Sequence, residues 1–192
     1  MDLGTATMTM FTDSIDCLLS KTYHGDQVPA KFLGVFAADK IPLPLNQFPA
    51  GFVANTDPTG EPGEHWVACF QEARFSPLEF FDSYGQDPSR FYLDLPPPIK
   101  KSNKQLHSHN SNVCGQYCVY FLLLRPYAES FTSTLNHMFH LANNTHDRDA
   151  YVYKRINNMR FYERCPEISK AQDHSQCCVQ FIQHRGRTEC MH

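Results

Sequence analysis

Residues 117–124 read YCVYFLLL, a run without a charge or a strongly polar side chain. As a helix it is apolar on every side, and such a helix is stable in water only at the centre of a domain. It is far too short to cross a bilayer, which takes about 20 apolar residues. Pro126 ends it, because the residue before a proline is pushed out of the helical region. A chain carrying this element must wrap its other segments around it, and the helix N-terminus must emerge from the core somewhere. Ser111 and Asn112 are good cap residues, so the helix is expected from about residue 113 to 125, with Cys114 in its first turn.

The remaining segments supply the wrapping. Residues 11–23 have apolar side chains at helical spacing, with Asp13 or Ser14 available as a cap. Short extended pieces are expected near 32–37 and 51–55, joined by turns rich in Pro and Gly. HWVACF (65–70) and LEFFDSY (78–84) read as strands, the second closed by Gly85. Residues 93–110 hold three consecutive prolines and then a polar stretch, and read as an irregular crossing loop. Two more helices are expected in ESFTSTLNHMFHL and DRDAYVYKRINNMRFY, with Asp147 or Asp149 as a cap for the second. The fold class is therefore α+β: a central mixed β-sheet with a buried central helix and other helices packed around it.

The 192 residues suit one domain, and 42% hydrophobic against 19% charged residues mark a globular chain. A net charge of -3 argues against a protein whose main task is coating nucleic acid. The basic stretches KKSNK (100–104) and KRINNMR (154–160) read first as solvated surface, and leave a weak nucleic-acid contact open. No secretory leader or membrane span is visible, so an intracellular location, nuclear or cytoplasmic, is expected. There the eight cysteines are candidate thiols rather than disulfides, and no C-x-x-C pair suggests zinc. His137 and His140 share a helical face without a third ligand at suitable spacing. Cys177, Cys178 and Cys190, with His174 and His184, form a weaker zinc candidate in the tail. Neither metal nor cofactor is expected. Domain organisation reads as residues 1–165 folded and 166–192 a polar tail.

Cys114 is the chemical focus. A thiol at a helix N-terminus feels the positive end of the dipole and gains thiolate character. Gly115 beside it leaves room for a substrate backbone, while Cys118, one turn deeper, reads as inert core. A nucleophilic cysteine needs a base, and the base needs an orienting group. Pairing 65–70 antiparallel with 78–83, Val67 opposite Phe80, sets His65 opposite Asp82 on one sheet face. Opposed residues have Cβ atoms about 4.5–5.5 Å apart, which suits a carboxylate holding an imidazole in one tautomer.

GVFAADKIP (34–42), GEHWVACF (63–70), EFFDSYG (79–85) and SNVCGQYCVYFLLLR (111–125) stand in this order. The series resembles the adenain-like, adenovirus-type cysteine proteases, including those of virus-like DNA transposons. More distantly it is similar to proteases that deconjugate ubiquitin-like modifiers. The resemblance implies a cysteine endopeptidase acting on polypeptide through an acyl-enzyme thioester, with preference for small-residue sites such as Gly motifs. Cys114 would be the nucleophile, His65 the base and Asp82 its orienting partner, with Trp66 lining the substrate cleft. Such proteases carry a glutamine six or seven residues before the nucleophile as an oxyanion donor. Here those positions are Ser108 and His107, so His107 or a bulged Gln105 is the candidate donor, and activity could be weakened. A monomer is expected. The alternatives are an isopeptidase removing a ubiquitin-like modifier, and a catalytically impaired domesticated relic that serves as a binding domain.

Overall fold

The computed structural model describes residues 10–25 and 28–159. The expected tail from residue 166, with its cysteines and histidines, lies outside the described residues.

Among the described residues five strands form one mixed sheet in sequential order: β1 (Lys31–Phe36), β2 (Ala50–Asn55), β3 (Trp66–Gln71), β4 (Leu78–Phe81) and β5 (Ile99–Lys101). The outer pairs β1–β2 and β4–β5 are parallel, and the inner pairs β2–β3 and β3–β4 are antiparallel. Among the described residues four α-helices accompany it: α1 (Thr12–Gly25), α2 (Cys114–Leu124), α3 (Phe131–Phe139) and α4 (Thr145–Asn157).

The apolar run becomes α2, with Tyr117, Cys118, Val119, Phe121 and Leu122 fully enclosed. Strand alternation decides what meets it. Trp66, Ala68 and Phe70 of β3 and Phe81 of β4 point to the helical side and join one core with α1, α2, α3 and α4. Phe81 and Phe121 stack at 4.6 Å between ring centroids. Val67 and Cys69 of β3 and Leu78 and Phe80 of β4 point the other way, into a second core closed by coil residues such as Leu45 and Leu95. A sheet buried on both faces explains why β2 is enclosed along its whole length.

Several local expectations are corrected. Residues 93–110 are not irregular throughout, since 99–101 form β5 on the edge beside β4. Edge pairing uses only backbone groups, which the prolines before it do not occupy, and Lys100 and Lys101 discourage further strand addition. The cap of α2 is Val113, without a side-chain hydrogen bond, not Ser111 or Asn112. The cap of α4 is Asn144, whose side chain accepts from the Asp147 N–H, so that helix starts ahead of both aspartates proposed as caps. The β3–β4 register is also displaced by two residues, with Cys69 opposite Phe80 rather than Leu78. A two-residue slip preserves side-chain parity, so the expected faces survive although the partners change.

The C-terminal end of α2 is pinned by charge. Arg125, 2% exposed, donates from Nε and Nη2 to the Glu79 carboxylate of β4 at 2.6 and 2.9 Å. Nη2 also reaches Glu72 at 2.9 Å, and Nη1 the Ala128 carbonyl at 3.1 Å. Removing one partner of such a pair strands a buried charge and costs about 3–5 kcal/mol. Arg125→Ala should therefore lower unfolding free energy in urea by that order, and the double replacement Arg125→Met with Glu79→Leu by clearly less. A loss under about 1 kcal/mol for the single change would show that the pair does not anchor the helix.

Candidate active site

His65 is the residue just before β3, and Asp82 the residue just after β4. In the observed register they are diagonal neighbours, and the side chains close the gap: His65 Nε2 lies 2.6 Å from Asp82 Oδ1. Asp82 has no exposed surface. Its Oδ1 also accepts the Tyr84 N–H at 3.0 Å, and its Oδ2 the Gln86 N–H at 2.8 Å. Ser102, just past β5, fixes the backbone beneath it: the hydroxyl accepts from the Asp82 N–H and donates to the Asp82 carbonyl, both at 3.0 Å. The turn that follows needs Gly85 at φ 70, because a Cβ there would come within 2.8–2.9 Å of the Lys104 backbone.

A carboxylate only accepts hydrogen bonds, so the proton between Asp82 and His65 belongs to Nε2. That leaves Nδ1 for the Cys114 sulfur, which lines the same cleft and favours the protonated ring. Burial alone would lower the imidazole's pKa, but the Asp82 carboxylate and the Cys114 sulfur outweigh it and bring it up to about 9. At neutral pH the ring is therefore an imidazolium, held between a carboxylate and a sulfur.

Cys114 is the first residue of α2 and 7% exposed. It is reached through a cleft of about 620 Å³ whose lining includes His65, Cys114, Tyr84, Asn112, Glu64 and Arg90. Thus the sulfur is recessed yet open to a ligand. Cys118 and Cys69 are enclosed, and burial pushes both thiols up, Cys118 strongly. These three are free thiols, and Cys17 is disulfide-bonded, an exception to the expectation of mostly reduced thiols.

The other candidates lie elsewhere. Trp66 is 6% exposed and donates Nε1–H to the Met10 carbonyl at 3.1 Å, packed in the core rather than along the cleft. Gly115 faces inward too: a Cβ there would meet Met10 at 2.9 Å, Ile15 at 3.2 Å and Trp66 at 3.4 Å. Its missing side chain makes room for the core, not for a substrate. His107 is fully buried. Its Nε2 donates to the Ser111 carbonyl at 3.0 Å, which leaves Nδ1 to accept the Ser83 hydroxyl at 3.2 Å. Both nitrogens are used internally, and burial lowers its pKa to about 4, so the ring is neutral. The Gln105 amide donates to the His107 carbonyl at 2.9 Å. Neither side chain lines the cleft. Among the described residues no group of three or more His, Cys, Asp or Glu is placed to hold a metal ion.

Tyr84 was visible only as part of DSYG, yet its ring organises the cleft wall. It lies 4.9 Å from the His65 ring and stacks on His107 at 4.5 Å and His109 at 5.0 Å. Burial, with the Cys114 and Asp82 charges, raises its hydroxyl to about 12, so it remains a phenol. Ser102 carried no sequence signal, since it acts through backbone groups 20 residues away.

No family model matches the chain. It is 24% identical over 129 residues to an Acanthamoeba polyphaga mimivirus protein whose name proposes a thiol protease, covering 59% of this chain and 42% of that one. It is 26% identical over 129 residues to a cysteine protease of African swine fever virus, covering 59% of this chain and 45% of the relative. The chain thus spans less than half the length of these curated relatives. The crystal structure of the African swine fever virus protease shares the fold at a TM-score of 0.51 and 19% identity, over 78% of this chain and 66% of that one. Among the described residues no helix is long and apolar enough to cross a membrane.

A group whose folded pKa lies above its unfolded value stabilises the fold at low pH. His65 should contribute fully below about pH 6.5, and its contribution should fade as pH rises through about 9. A histidine NMR titration should find its midpoint near 9 in the wild type and well below that in Asp82→Asn. A wild-type midpoint near 6.5 would show that the carboxylate and the sulfur do not act on the ring.

Proposed function

We propose that this chain is a cysteine endopeptidase that cleaves polypeptide with Cys114 as nucleophile, His65 as base and acid, and Asp82 as the group that orients the ring. One observation carries the reading: an imidazole bound through Nε2 to a buried carboxylate presents its other nitrogen to a thiol at the floor of an open cleft. The viral relatives named for the same chemistry support it. The finer resemblance to adenain-like enzymes belongs to this reading as well.

The steps follow from the geometry. In the reacting state the His65 imidazolium already holds, at Nδ1, the proton of the Cys114 thiol, and Asp82 stabilises that imidazolium. Sγ attacks the peptide carbonyl carbon, and the carbonyl π electrons move onto oxygen. Collapse of that oxyanion expels the amine, which takes its proton from His65 and leaves a thioester on Cys114. Water then gives a proton to His65 and attacks the thioester. The second collapse breaks the C–S bond, releases the carboxylic acid product and restores the Cys114 sulfur, as thiolate, beside the His65 imidazolium. The oxyanion needs donors at both stages. With both His107 nitrogens engaged inside the protein and the Gln105 amide bonded to the His107 carbonyl, the reading assigns this task to the backbone N–H of Cys114, which at the start of α2 has no intrahelical acceptor.

Turnover of a peptide library by the full chain should vanish in Cys114→Ala and His65→Ala. In Asp82→Asn it should fall by about 10²- to 10⁴-fold in kcat/KM. Equal turnover in all of them would sink the peptidase reading and favour a binding domain. A reactive probe built on a ubiquitin-like modifier should leave Cys114 unlabelled, and labelling would instead support the isopeptidase alternative.

A further inference from the structure

The loop from Leu106 to Val113 delivers Cys114 to the cleft, and it is held from two sides. On the sheet side, the Leu106 and His107 N–H groups donate to the Ser83 carbonyl at 2.8 and 3.0 Å. On the helical side, the contacts come from α4, far along the chain. Asp149 is 4% exposed and accepts from three donors of this region. Its Oδ2 takes the Ser111 hydroxyl at 2.5 Å and the Ser108 N–H at 3.1 Å, and its Oδ1 takes the Tyr117 hydroxyl at 2.9 Å. Beside it Arg148, 2% exposed, donates from Nη1 to the Leu106 carbonyl at 3.0 Å and from the rest of its guanidinium to the Phe139 and Ala142 carbonyls.

This clamp is close to the chemistry without being part of it. Asp149 does not line the cleft, but Ser111 does, and Cys114 follows three residues later. Tyr117 lies one helical turn beyond Cys114, so a single carboxylate fixes both the loop entering α2 and the first turn of α2. The direction of the Cys114 N–H is set by the peptide plane between these two anchors. We propose that Asp149 is a positioning residue for the oxyanion hole, holding the 108–113 loop so that the Cys114 N–H faces the substrate carbonyl oxygen.

The inference rests on the acyl-transfer reading given above. It explains why a carboxylate occupies the position. Three donors converge on two oxygens, which a carboxylate accepts without conflict. An asparagine would offer one oxygen and turn an NH₂ group toward donors. With its oxygen kept on the Ser108 N–H and the Ser111 hydroxyl and its NH₂ turned to the Tyr117 hydroxyl, the loop bonds would lose the charge that strengthens them.

The test separates oxyanion positioning from general damage. Alkylation of Cys114 by iodoacetamide needs the thiolate and His65 but forms no oxyanion, whereas peptide cleavage needs both. In the full chain Asp149→Asn should lower kcat by about 10- to 100-fold, with KM within about threefold of wild type, a part of the loss seen when an oxyanion donor is removed outright. The Cys114 alkylation rate should stay within about twofold, because no reacting partner of the thiol has changed. Ser111→Ala should show the same split with a smaller loss. The double variant should be no worse than Asp149→Asn alone, because both act through one contact. Unchanged kcat in Asp149→Asn overturns the proposal, and so does a parallel fall in cleavage and alkylation. If Asp149→Asn does not fold, Ser111→Ala decides: lower kcat with intact alkylation supports the clamp, and unchanged kcat overturns it. A wild-type chain that cleaves no peptide would overturn the proposed function and this inference together. That result is distinct from an active wild type with an equally active variant.

Discussion

The carboxylate of Asp82 is a charge with no contact with water, and everything around it serves to make that tolerable. A buried anion without partners would take up a proton or move. Here three donors reach it: the His65 ring and the backbone N–H groups of Tyr84 and Gln86. The backbone donors exist only because the chain turns sharply after β4, and that turn is possible only with Gly85 in its left-handed conformation against the Lys104 backbone. Ser102, reached through the short edge strand β5, then locks the Asp82 peptide. A structural demand, satisfying a buried charge, thereby fixes the direction of the imidazole that meets Cys114.

The central helix works by having unlike ends. Its C-terminal end is closed by the Arg125–Glu79 pair and the apolar residues around it. Its N-terminal end has no side-chain cap, and that omission matters chemically. Ser111, which looked like a cap, is turned to Asp149, and Asn112 lines the cleft. A capping side chain would occupy the N–H groups that point out of the first turn. Leaving them uncapped keeps the positive end of the helix directed at the cleft, where the Cys114 sulfur sits.

Sequence reasoning reaches the elements whose signals are local. The apolar run had to be buried, and α2 is; the alternation in HWVACF and LEFFDSY set the faces of β3 and β4, which the structure keeps despite the two-residue slip. The meeting of His65 with Asp82 was legible for that reason, since parity depends on odd or even spacing and not on the register itself. The roles of Trp66 and Gly115 were not legible, because a small or aromatic residue beside a candidate site residue looks the same whether it lines a cleft or fills a core. The contact with Met10 decides it, and Met10 lies 56 residues before Trp66. Ser102 and Asp149 were hidden for a similar reason: each acts through hydrogen bonds across 20 to 41 residues, and no periodicity records such distances.

Of the three imidazoles around the ring of Tyr84, two are pushed in opposite directions, to about 9 for His65 and about 4 for His107. Burial is similar and cannot separate them. The difference is the partner. His65 touches a carboxylate and a thiol, both of which favour its protonated form. His107 touches a carbonyl, a hydroxyl and the Val113 N–H, none of them an anion that would hold a second proton. A second proton on His107 would face the Ser83 hydroxyl with an N–H, beside an already charged His65. The neutral ring is thus fixed as scaffold under the loop, while His65, at the cleft, carries its second proton. Environments that drive like groups apart are how one site assigns them different tasks.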